Sequence, residues 1–116
     1  MNLLDVNFTM FGPDRQNDRE GLYDFASQIG EIAWASETQF YLLTSLDAIE
    51  AHNQIRYVMW DTDFLKVQSV MGPFALTGVY PPRVNELLEK ADSLGVISLN
   101  WSKDASRDLL LKLLGR

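Results

Sequence analysis

Two aspartates and one histidine are the residues of this chain whose types invite chemistry. Asp61-Thr62-Asp63 follows an apolar, aromatic run that ends in Trp60. An Asp-x-Asp at the end of a strand suits Mg²⁺ or a metal-bound nucleotide, because hard cations take carboxylate oxygens. A calcium loop of EF-hand type would need a glycine and a later glutamate that are missing here. Asp and Thr are also ordinary turn residues, so one spacing leaves a turn, a partner contact and a metal site all open. His52 is the only histidine. A histidine serves as a general base when a nucleophile stands beside it, but there is no cysteine and no Gly-x-Ser-x-Gly serine to pair with it. One histidine and no cysteine cannot assemble a zinc site at ordinary spacings. Gly12, Gly21 and Gly30 are too far apart for a phosphate loop, and Gly72 and Gly78 lack a following lysine. The expectation is no cofactor, and binding rather than catalysis. The alternative is a small enzyme or a metal- or ligand-binding domain using Asp61, Asp63 and His52.

A second constellation is electrostatic. The net charge is −6, and it is unevenly placed. Residues 1–60 hold nine acids (Asp5, Asp14, Asp18, Glu20, Asp24, Glu31, Glu37, Asp47 and Glu50) against three arginines (Arg15, Arg19 and Arg56). The remainder balances at seven acids and seven bases. No lysine or arginine lies between Glu20 and Ile55. Such a chain is a poor ligand for nucleic-acid phosphates, which need basic counter-charge. A surface of one sign instead speeds encounter with a basic partner. Glu20, Asp24 and Glu31 fall on one face of the first expected helix, at ~100° per residue, with Glu37 continuing them. The plainer account of that face is solvation. Trp34, just past the helix and beside Glu37, is the candidate anchor, since tryptophan is a frequent interface residue.

The elements that must position these groups follow from periodicity. Residues 3–10 alternate, with Leu4, Val6, Phe8 and Met10 on one face and Asp5, Asn7 and Thr9 on the other, which makes a half-buried strand. Asn17 with Glu20 suggests a capping box. Leu22, Phe25, Ala26, Ile29, Ile32 and Ala33 then recur at helical spacing. Gly30 would let the helix approach the sheet closely. Residues 38–46 read as a strand covered on both sides, because Phe40 and Leu42 oppose Tyr41 and Leu43. Asp47 caps a short turn or helix over 48–53. Residues 54–71 read as a β-hairpin turning at Asp61–Asp63, and as the centre of the sheet. Phe74 to Tyr80 is either a further strand or an extended loop. Pro81-Pro82 opens a helix with a stripe of Val84, Leu87, Leu88, Ala91 and Leu94, a Glu86–Lys90 pair and a stop at Gly95. A strand over 96–101 follows, with Ile97, Leu99 and Trp101 on one face. A last helix is capped by Ser102 or Asp104 and buries Ala105, Leu109, Leu110, Leu113 and Leu114.

The order strand, helix, strand, hairpin, helix, strand, helix predicts a single α+β domain over residues 1–116. Its mostly antiparallel sheet of four to six strands carries three helices on one side. The start of the chain has no basic n-region and no apolar run reaches membrane-helix length, so a cytoplasmic protein is expected. The function expected is a small acidic inhibitor, immunity-protein-like or phage-type. It would dock a basic partner such as a nuclease or another nucleic-acid-handling enzyme through Glu20, Asp24, Glu31, Trp34 and Glu37. A third expectation is a homo-oligomer using Trp60 and the exposed hairpin arm as an edge.

Overall fold

The structure is a computed structural model and describes residues 1–71, 73–76 and 81–101. The expected last helix, with its caps Ser102 and Asp104, lies outside the described residues. The domain is α+β. Strands β1 (Asn2–Thr9), β2 (Glu31–Ser36), β3 (Gln39–Thr44) and β4 (Phe64–Val70) form one antiparallel sheet in the order β2-β3-β1-β4. Helices α1 (Gln16–Ile29), α2 (Ala48–Ile55) and α3 (Pro82–Ser93) accompany it. A separate two-stranded parallel pair joins β5 (Pro73–Leu76) to β6 (Ser98–Trp101).

The alternation in β1 explains why it sits inside the sheet. Leu4, Val6, Phe8 and Met10 bury against Leu22 and Ala26 of α1 and Ala51 and Ile55 of α2. Leu3 faces the other way and meets Val84, Leu87, Leu88 and Ala91 of α3. In β3, Phe40 and Leu42 join the first layer, while Tyr41 and Leu43 join the second. The helices therefore lie on both faces of the sheet, not on one as expected. Leu3 and Leu43 supply the apolar patch on the second face that α3 needs.

The expected hairpin is wrong in its first arm. Gln54 and Ile55 close α2, and Arg56–Val58 is a 3₁₀ turn. Asp47 and Glu50 form a complete capping box, the Asp47 carboxylate accepting from the Glu50 N–H. Ala51 and Ile55, four apart, then bury one helical face. A capped nucleus plus a buried i,i+4 pair outweighs the β-propensity of Tyr57 and Val58. Only Phe64–Val70 is a strand, and its partner is β1 rather than residues 54–60.

Helix α1 also differs from its sequence pattern. It begins at Gln16 after Arg15, without a side-chain cap, so the Asn17–Glu20 box does not form. It ends at Ile29 rather than running through Ala33. The Thr44 hydroxyl donates to the Ile29 carbonyl at 2.6 Å, giving that helix end a partner on β3. Gly30 is the closest point. A Cβ there would lie 2.4 Å from the Leu43 carbonyl oxygen and 2.9 Å from a Leu42 methyl.

At the end of α3, Gly95 has φ +73°. Its N–H donates to Asp92 and the Val96 N–H to Ala91, which is a Schellman motif. Leu94 is exposed instead of continuing the stripe. The expected Glu86–Lys90 pair is replaced by Arg83–Glu86 and by Lys90–Glu31. Of the segment Phe74 to Tyr80, expected as a further strand or an extended loop, residues 74–76 belong to β5 and 77–80 lie outside the described residues.

Candidate functional site

The loop joining the 3₁₀ turn to β4 is fixed by one buried ion pair. The Arg15 guanidinium donates to both oxygens of Asp63, at 2.7 and 2.5 Å, and to Asp18 at 2.6 Å. It also donates to the Phe11 carbonyl. Asp63 further accepts the N–H groups of Trp60 and Phe11. Arg15 is 4% exposed, and the Asp63 side chain is fully covered. The Trp60 ring lies over the guanidinium, 3.5 Å from its carbon to the ring centroid. The Arg15 guanidinium and these N–H donors hold the Asp63 carboxyl below the usual carboxylate range. Reciprocally, the two carboxylates hold Arg15 more firmly protonated. The local sequence gives no sign of this lock, because its two halves lie forty-eight residues apart.

Around the lock is an open depression of about 420 Å³ lined by His52, Arg56, Met59, Trp60, Asp61, Asp63 and Leu65. The three groups of the Asp-x-Asp and histidine reading thus share one site. Their chemical availability differs. Asp63 has its lone pairs engaged by Arg15 and two N–H groups. Asp61 is exposed, and His52 is half-buried with Asn53 as its neighbour. Among the described residues no group of three or more His, Asp or Glu is placed to hold a metal ion. Arg56 and Met59 do not stand out in the sequence, because the β-propensity of their neighbours Tyr57 and Val58 suggests a strand there. The Asp47-x-x-Glu50 box and the Ala51/Ile55 spacing were the signals that could have placed Arg56 at the end of a helix.

The acidic residues are distributed over three elements. Glu20 and Asp24 lie one turn apart on α1, and both are exposed. Of the two arginines of this region, Arg15 is buried in the lock, and Arg19 is half-buried with its Nε covered and without a hydrogen-bond partner. Glu37 sits in the exposed turn between β2 and β3, whose Thr38 carbonyl accepts the Phe8 N–H. It therefore lies at the sheet end where β1 hands the chain on to α1. Glu31 is not on the helix at all. It stands on β2 and pairs with Lys90 of α3.

Trp34 also lies on β2, where it packs inward. Its ring is 4.0 Å from Tyr23, 4.6 Å from Phe40 and 5.8 Å from Phe8, between centroids. Such aromatic contacts add to area burial, so Trp34 fastens α1 to the sheet. The structure keeps Glu20 and Asp24 together on α1, places Glu31 on a different element, and packs Trp34 against Tyr23 in the aromatic cluster.

No protein-family model, curated protein or solved structure matches this chain.

Proposed function

We propose that this chain is a non-enzymatic binding protein that docks a basic partner through the outer face of α1. The observation that supports the reading is the burial of Arg15 against Asp63 and Asp18. Glu20 and Asp24 stand exposed and, among the described residues, form no ion pair. A face of one sign accelerates encounter with a cationic surface. The concrete form is an inhibitor, immunity-protein-like or phage-type. Its carboxylates would occupy a cleft where a nuclease or similar enzyme receives phosphates. Glu37 extends the contact at one end. Glu31, held by Lys90, and Trp34, held in the aromatic cluster, support it through the position of β2.

The test replaces Glu20→Gln, Asp24→Asn and Glu37→Gln together in a chain used to capture basic proteins from its native host. Association with the captured protein should slow by about tenfold and lose much of its salt dependence. Unchanged kinetics with every captured protein would contradict the reading.

A second reading rests on the convergence of His52, Arg56 and Asp61 on the depression beside Trp60. There the chain would bind a small charged ligand, or a divalent ion through Asp61. Adding Mg²⁺ or Mn²⁺ should then raise the melting temperature, and Asp61→Asn should abolish the rise. No shift with the wild-type chain would remove the metal form of this reading.

A further inference from the structure

Strand β4 is an edge whose unpaired side can be read residue by residue. In an antiparallel pair, each strand turns the main-chain groups of alternate residues toward one neighbour and those of the residues between toward the other. The Phe8 N–H donates to the Thr38 carbonyl, so the even-numbered residues of β1 face β3. Asp5, Asn7 and Thr9 therefore face β4, opposite Gln68, Lys66 and Phe64. On β4 the N–H and C=O groups of Leu65, Val67 and Ser69 point away from β1. Among the described residues no strand lies on that side.

We propose that this edge is a two-fold interface for a second copy of the chain, with the two β4 strands antiparallel and centred on Val67. Three observations select that occupant and that register. First, pairing Val67 with itself sets Leu65 opposite Ser69 twice. All three outward-facing residues then find partners, giving about six hydrogen bonds, whereas a slip of two residues either way leaves about four. Second, the register matches side chains. Phe64, 49% exposed, lies opposite Val70 on the same face of the sheet. Third, it matches charge. Lys66 falls opposite Gln68, whose neighbour on β1 is Asp5. The slip centred on residue 66 would instead set the two Lys66 side chains directly against each other.

The opposite edge of the sheet does not offer this template. Strand β2 carries a register shift between Trp34 and Ser36, and its Glu31 is tied to Lys90 of α3. Irregular pairing of that kind blunts an edge. In β4 the seven-residue ladder to β1 is unbroken.

The experiment is sedimentation velocity on the whole chain over a concentration series, with three variants. The wild type should pass from one copy to two as concentration rises. Ser69→Pro removes one outward N–H from each copy and leaves the bonds to β1 intact. It should weaken the dimer by about tenfold or more, as the loss of two hydrogen bonds implies. Gln68→Lys alters only an exposed side chain and opposes Lys66 of the second copy, so it should weaken the dimer while far-UV circular dichroism stays unchanged. The chain has no cysteine, so Val67→Cys gives a unique thiol. Lying across a hydrogen-bonded pair from its own copy at ~5.5 Å between Cα atoms, it should cross-link with a short bifunctional thiol reagent. Ser36→Cys on the β2 edge should not. A chain that stays monomeric throughout, a dimer indifferent to both Ser69→Pro and Gln68→Lys, or cross-linking at residue 36 in place of 67 would overturn the proposal.

Discussion

Asp63 is the residue that sequence patterning describes least well. As a turn residue it would be replaceable, and as a metal ligand it would be free. It is instead a covered carboxylate facing a covered guanidinium, with two main-chain donors completing its shell. Removing one partner of such a pair leaves the other buried and uncompensated. Asp63→Ala should therefore destabilise the fold by about 2–3 kcal/mol, less than a deeply buried pair would cost because the loop lies near the surface. The pH dependence has a definite sign. Folding lowers the affinity of Asp63 for its proton. The stabilisation is thus fully present above the unfolded carboxyl value of ~3.9 and fades as pH falls through the folded one. Urea titrations between pH 7 and pH 3 should show a steep acid loss in the wild type and a shallower one in Asp63→Ala. Parallel slopes would mean the carboxylate is not what fastens the loop.

At the scale of elements, the parts written in local patterns were legible and the parts decided by distant contacts were not. The alternation of β1, the two-sided strand at Phe40–Leu43 and the proline-to-glycine span of α3 follow from periodicities of 2 and 3.6. The extent of α2 was not read, because Tyr57 and Val58 favour strands while the Asp47–Glu50 box and the Ala51–Ile55 pair favour helix, and the capped helix prevails. The end of α1 was misplaced for a similar reason. Ile32 and Ala33 continue the helical spacing by coincidence, but the chain turns into β2 at Gly30, where only hydrogen fits against the Leu43 carbonyl. That contact makes a strong demand. Gly30→Ala should cost roughly 3 kcal/mol, since main chain rather than a pliable side chain must give way. A chemical-denaturation midpoint within error of the wild type would show that α1 and β3 part easily. The candidate site was partly legible. Glu20, Asp24, Glu37, Asp61 and His52 are exposed or half-exposed. The roles of Glu31 and Trp34 depend on α3 and on the aromatic cluster, which local spacing does not encode.

For the molecule as a whole, the distribution of apolar and charged groups forms one argument. Leucines on both faces of the sheet call for helices on both sides, and α3 brings Lys90 to Glu31. That bridge pairs one of the acids and leaves Glu20, Asp24 and Glu37 as the exposed carboxylates of the proposed face. Arg15 is buried against Asp63 and Asp18 and adds no free positive charge to that surface. The central claim is that this surface exists to meet a cation-rich protein. It is tested most directly by the ionic-strength dependence of the association rate with a basic protein captured from the host, wild type against the Glu20→Gln, Asp24→Asn, Glu37→Gln chain. The account predicts a steep fall with salt for the wild type and a slower, nearly flat dependence for the variant. Coincident curves, or a host that yields no basic protein to the wild-type chain, would contradict it.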